Sequence, residues 1–274
     1  MGLAGRSQTS TKCKEVKLKS IISFVLCIAF ITAHAQTKID SAIIKSEIWL
    51  KSQYNYLNNP GVIYDLWLAQ SSGQVNLEMP SPWDIQTLSN QEKALFQTLK
   101  SWKEKKQKPS FAELELLGSS NELLRNEIFS MFCSDVAMPS NLLHELNEQS
   151  EHGGYYACYT LRELNRMKIA HCIDSNDSTL NNLENNILQG LQLLLSYPDL
   201  VGCTPTLNLN FTCFTLLETE NMKYLKSDHV NKILSNQLDN GSWAIDENNM
   251  PDLFSTAYAY LFLNQMKAKK ILLD

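Results

Sequence analysis

From Asn121 to the end of the chain, apolar residues recur at the three-to-four-residue spacing of one helical face, and Pro or Gly punctuates most of the breaks between these runs. Leu124, Ile128 and Phe132 align within a helix over about Asn121 to Cys133. After Pro139 a short helix carries Leu142 to Glu151 and ends at Gly153-Gly154. The next runs from Tyr155 to His171 with Ala157, Leu161 and Leu164 inward. Ser178 caps a segment whose face is Leu183, Ile187, Leu191, Leu194 and Leu195, stopped at Pro198. Pro205 opens a helix running towards Tyr224, Ser227 caps one ending near Gln237, and Asp252 precedes the last, with Phe254, Ala257, Leu261 and Phe262 inward. Strand alternation is nearly absent. The pattern predicts an all-α chain of helical hairpins, which stack as solenoids or close into an α/α toroid or partial toroid.

The N-terminal third is less regular. Ile43, Leu50, Tyr54 and Leu57 share a face between Asp40 and Leu57, where Asn58-Asn59-Pro60-Gly61 ends the helix, and residues 62 to 85 carry the weakest periodicity. Ser89 and Glu92 form a capping box for a helix with Leu95, Leu99 and Trp102 on one face. A basic cluster of Lys100, Lys103, Lys105, Lys106 and Lys108 precedes Pro109 and reads as a solvated helix end that complements the dipole.

Lys12, Lys14, Lys17 and Lys19 come before an apolar and hydroxyl run from Ile21 to Thr32 and then Ala33-His34-Ala35. Positive, apolar, small-x-small is the order of a secretory signal peptide, and a run of about twelve residues falls short of the roughly twenty that span a bilayer. Cleavage is expected after Ala35. The expected organisation is therefore a signal peptide over 1–35 and a single helical domain over 36–274, with an irregular helical part at 36–118 and the hairpin region at 119–274. The product is expected to be secreted or periplasmic, with no membrane association after cleavage.

Removing residues 1 to 35 takes five of the 24 basic and one of the 29 acidic residues, leaving 19 against 28 and a formal charge of −9. So acidic a domain is a poor partner for nucleic acid or anionic lipid. Five cysteines remain, Cys133, Cys158, Cys172, Cys203 and Cys213; an odd number leaves at least one thiol unpaired within the chain, and their spacing is no zinc pattern. Asn176-Asp-Ser178, Asn210-Phe-Thr212 and Asn240-Gly-Ser242 match the glycosylation acceptor.

The stretch Asn236-Gln237-Leu-Asp-Asn-Gly241-Ser-Trp243, followed by Asp252-Leu-Phe-Ser-Thr256-Ala257, resembles the Q-x3-G-x-W element and following helix of the terpenoid cyclase and protein prenyltransferase superfamily. The resemblance spans about the last 120 residues. It implies that glutamine and glycine close a turn between outer and inner helices and that tryptophan packs between hairpins. Gly153-Gly154-Tyr155-Tyr156-Ala157-Cys158-Tyr159-Thr160 is more loosely similar to the Tyr-His-Thr-x-Tyr helix start of prenyltransferase β-subunits. Tyr156 stands where that family has histidine, and no aspartate precedes Tyr155 by two positions. Neither a D-x-D-D acid motif nor a D-D-x-x-D pair is present. The resemblance therefore speaks for fold more than for activity.

Three groups of residues are candidate chemistry. His144, Glu148 and His152, at i, i+4 and i+8, would lie on one helical face and could bind zinc, or else form ordinary solvated pairs. Tyr155, Tyr156 and Tyr159 at a helix start, with Trp243, could line a pocket or fill a hairpin core. Asp246 and Asp252 flank the final turn and could serve as acid or base. No nucleophile elbow, phosphate-binding glycine loop or H-E-x-x-H occurs. Two readings follow: an exported helical-hairpin module that binds an unknown protein, small molecule or glycan without a cofactor, or an enzyme of the same architecture working on a polysaccharide, peptide or isoprenoid in a central cavity, with zinc as its metal.

Overall fold

A computed structural model of the chain describes residues 36–271 apart from 57–58, 91, 94–95, 98–99, 102–121, 136–140, 201–203 and 247–248. The expected signal peptide, Leu57, Asn58, Leu95, Leu99, Trp102, the cluster lysines Lys103, Lys105, Lys106 and Lys108, Pro139 and Cys203 lie outside the described residues. The chain divides into two units, residues 1–41 and 42–274. The described part of the first, residues 36–41, is helical, with Gln36 Nε2 donating to Asp40.

The second unit is all-α. Helix α1 covers residues 42–52. It is followed by α2 (Pro60–Ser71), α3 (Glu122–Phe132), α4 (Leu142–Glu151), α5 (Gly154–Ile169), α6 (Ser178–Ser196), α7 (Pro205–Glu218), α8 (Ser227–Ser235) and α9 (Leu253–Lys269). Two short strands, β1 (Trp243–Ala244) and β2 (Pro251–Asp252), pair antiparallel just before α9. Ser89 and Glu92 form the expected capping box, each accepting from the other's backbone N–H.

Burial sorts the helices into two kinds. In α4, α6 and α8 one stripe is buried, such as Leu180, Ile187, Leu188, Leu191, Leu194 and Leu195 of α6, and the other faces are exposed. By contrast α5 is buried continuously from Ala157 to Leu164, α7 from Asn208 to Leu217 and α9 from Ser255 to Leu263. A helix covered on all sides sits inside a domain, and an amphipathic one sits on its surface.

The contacts fix how the inner helices run. Tyr159 of α5 packs on Phe211 of α7, and seven residues further along both, Arg166 meets Glu218, so α5 and α7 are parallel. Asn210 Nδ2 donates to the Ser255 carbonyl and Lys269 Nζ to that of Leu217, which makes α7 and α9 parallel. Gly61 lies beside the Tyr159 hydroxyl and Asp65 beside Arg162, giving α2 the same direction as α5. For α3, Glu127 meets Arg166 and Cys133, just past the helix end, is disulfide-bonded to Cys172 beyond α5. Tyr258 of α9 reaches Asp65 of α2, and Tyr64 of α2 donates to Met131 of α3. These five parallel helices therefore meet one another in sequence, with α4, α6 and α8 laid against α5 and α7 from outside.

Three local features differ from the sequence reading. Residues 60–71 form a helix where periodicity predicted irregular chain. Asn59 Oδ1 accepts from the Val62 N–H and Pro60 takes the first position, so the tetrapeptide read as a stop is a start. Periodicity missed α2 because its buried residues, Val62 to Leu66 and Ala69, leave no polar face. Asp177, one position before the expected Ser178, caps α6 by accepting from the N–H groups of Thr179 and Leu180. Likewise α7 ends at Glu218, and a separate 3-10 turn covers Met222–Tyr224.

The Q-x3-G-x-W segment folds into a tight corner, exposed at Asp239 and Asn240 and buried from Gly241 to Trp243. Gln237 Nε2 donates to the Gly241 carbonyl at 3.0 Å and to that of Ala42 at 2.9 Å, tying the turn to α1. Gly241 has φ +91°, and a Cβ there would stand 2.4 Å from the Lys45 carbonyl oxygen, so both conformation and space demand glycine. Trp243 is fully buried; its indole N–H donates to the Ile233 carbonyl and its backbone N–H to Thr256. Asp252 caps α9 through the Ser255 N–H.

Candidate functional site

The inner helices each send a polar side chain to a common place. Asp65 comes from α2, Glu127 from α3, Arg162 and Arg166 from α5, Glu218 from α7 and Tyr258 from α9. The Arg162 guanidinium, 1% exposed, donates to both Asp65 oxygens at 2.5 and 3.0 Å and through Nε to Glu218 at 2.5 Å, with Glu127 at 3.4 Å. Arg166 bonds Glu127 at 2.6 Å and reaches Glu218 at 3.4 Å. Glu218 is the most exposed member, at a quarter of its side chain. A forked guanidinium can hold two carboxylates in this way because its donors lie in one rigid plane.

Towards the N-terminal ends of the helices the cluster is closed by rings. Phe211 stacks on Tyr258 at 4.0 Å, Tyr159 meets Phe211 edge-on at 5.1 Å, and the Arg162 guanidinium lies 5.3–5.9 Å from the centres of Tyr159, Phe211 and Phe214. Tyr258 donates its hydroxyl proton to Asp65, a carboxylate that can only accept, so in the 3.0 Å bond between the two tyrosines Tyr159 is the donor. A directed chain of hydroxyls thus runs from Tyr159 through Tyr258 to Asp65.

Burial governs the charges. It pushes the Asp65 carboxyl up to about 6 against the pull of Arg162, while Arg162 and Arg166 outweigh burial at Glu218 and hold it below its ordinary value. Three carboxylates then face two guanidiniums. Next to them Glu163 is fully buried, accepts one bond from Gln149 Nε2 at 3.3 Å, and has its other oxygen unpartnered. Burial, reinforced by the charge of Glu127, lifts its carboxyl to about 8, so it is protonated at neutral pH.

The residues singled out from sequence distribute differently. Tyr159 belongs to the ring layer, and half-buried Tyr155 packs above it against Phe211 and Phe254. Tyr156 is 41% exposed, its ring 5.4 Å from that of His152. Trp243 and Asp252 are paired across the two-stranded ladder and serve the corner and the α9 cap. Asp246 lies in the wall of a polar hollow of about 390 Å³ with Asp199, Lys232 and Asn236. His144 and Glu148 stand 3.4 Å apart on an exposed face, while His152 turns to Tyr156. Among the described residues no three His, Cys, Asp or Glu side chains are placed to hold a metal ion, and no helix is long and apolar enough to cross a membrane. Asn210, an acceptor by motif, is fully buried and donates to Ser255, so the folded protein cannot present it for glycosylation.

A second cleft, of about 340 Å³, opens between α4, α5 and α6 over Ala157, Ile187, Gly190 and Leu194. Sequence reasoning missed both this cleft and the ionic cluster. The one signal for the cluster was charge inside otherwise apolar helices: Asp65, and Arg162 with Arg166 one turn apart. Comparison of the chain with protein-family models, with curated proteins and with solved structures finds no match.

Proposed function

We propose that this is an exported binding module of the α/α toroid type, whose inner axis is structural and whose ligands are met on the outer surface. The observation that carries the reading is that the side chains best suited to acid–base chemistry, Asp65, Glu127, Glu218 and both arginines, are consumed by one another beneath a layer of rings. A site that turns over a substrate needs room beside its reactive groups. The order of inner parallel helices and outer partners, with the Q-x3-G-x-W corner joining α8 to α9, supports the toroid part of the reading. The Cys133–Cys172 disulfide supports export, since such bonds persist outside reducing compartments.

Phenylglyoxal modification of the native, disulfide-intact protein tests this. The reading expects Arg162 to stay unmodified until the protein unfolds, and the exported product to begin at Gln36 by mass. Modification of Arg162 under native conditions would mean that the axis is open to small molecules and would favour an enzyme.

A further inference from the structure

We infer that the cleft between α4, α5 and α6 is a binding site for a small amphiphile with an apolar body and an uncharged or cationic head. The inference deepens the binding-module reading and rests on it. Gly190 is the starting point. It stands in the middle of α6, a 19-residue helix, and its backbone is helical rather than left-handed. A Cβ built on it meets nothing within 4 Å. Glycine inside a helix costs about 1 kcal/mol relative to alanine, and here neither conformation nor a neighbour among the described residues asks for it. Gly190 is exposed at the edge of the cleft, and its missing side chain leaves that entrance open.

The surroundings define what fits. The floor is apolar, formed by Ala157, Leu183, Ile187 and Leu194, and Leu193 at the edge is 53% exposed. A volume of about 340 Å³ is at the small end of ligand sites, which run from roughly 300 to 1,000 Å³. On the rim Asn147 donates to the carboxylate of Glu151, beside Ser150, and among the described residues no lysine or arginine lines the cleft. A carboxylate or phosphate head would therefore face Glu151 without a countercharge. A hydroxyl or ammonium head would be hydrogen-bonded or paired there.

Calorimetric titration of the mature, disulfide-intact protein with 1-octanol, octylammonium and octanoate tests the site. Saturable one-to-one binding of the first two is expected, with octanoate at least tenfold weaker. Gly190→Leu, which puts a side chain into empty space, should weaken octanol binding at least tenfold without lowering the melting temperature. Should that variant fail to fold, Leu193→Asp is the second probe; it should weaken octanol and strengthen octylammonium. Equal affinities for octanol and octanoate, unchanged binding in both variants, or no saturable binding of any probe would overturn the site. The last result together with a protected Arg162 would remove this site and leave the module reading standing, whereas a modified Arg162 would remove that reading whatever the titrations give.

Discussion

The helices α5 and α6 are neighbours in sequence and in space, yet they are stabilised in opposite ways. Along α6 a single leucine-rich stripe is buried and the other faces meet water, so its stability comes from one hydrophobic contact surface. Helix α5 is enclosed on all sides from Ala157 to Leu164, and its inward groups include Arg162, Glu163 and, one turn on, Arg166. An enclosed helix cannot hide polar groups at the surface, so every one it carries must find a partner inside. The outer layer thus depends on amphipathic pattern and the inner layer on charge matching among four separate helices, with a hydroxyl from the fifth.

The sharpest way to break that comparison is to remove one charge from each layer. Arg162→Met leaves Asp65 buried without its guanidinium and leaves Glu127 and Glu218 with Arg166 alone, and chemical denaturation should report a loss of about 3–5 kcal/mol. Glu184→Gln removes from the outer helix α6 the partner of Lys168, a partly exposed pair, and should lose no more than about 1 kcal/mol.

The protonated Glu163 sharpens it further. Its native carboxyl titrates near 8 against an ordinary 4.5, so between those values the native state holds a proton that the unfolded chain releases. Stability must then fall as pH rises from about 5 to 8, by up to about 4 kcal/mol from this group. Glu163→Gln keeps an acceptor for Gln149 and should flatten that slope in melts taken across the window. Asp65, raised to about 6, adds a smaller loss of the same sign below pH 6 that the variant retains. Glu218, held low, works the other way, and its contribution is lost on acidification.

Smaller effects belong to the joints between layers. Gly241→Ala drives a methyl into the Lys45 carbonyl at a left-handed φ and should cost about 1–3 kcal/mol in thermal unfolding. Asp177→Ala removes the α6 cap, and a loss of about 1 kcal/mol in the same assay is expected.

The same division explains what could be read from the chain alone. The bounds of α4 and α6 followed from their stripes, and the starts of α7 and α9 from Pro205 and Asp252, because caps and periodicity are local signals. The Gln237 to Trp243 corner was legible because its glycine and tryptophan each answer a local demand, one for space and one for burial. Helix α2 was not legible, since apolar residues on all its sides give no period to detect. The ionic cluster escaped for a different reason: its charges stand out in apolar surroundings, but Asp65 and Arg162 are 97 residues apart and nothing in either neighbourhood names the other. Conversely, the His144, Glu148 and His152 spacing was conspicuous in sequence, yet only the first two side chains meet, and they do so at the surface.

Segment-resolved hydrogen exchange under native conditions tests the shared inner core most directly. Amides of α2, α3, α5, α7 and α9 should exchange with one common free energy, the largest in the protein, while α4 and α8 open earlier, and Arg162→Met should lower the five inner helices together. Inner helices that exchange independently of one another, or an outer helix as protected as α7, would contradict the account.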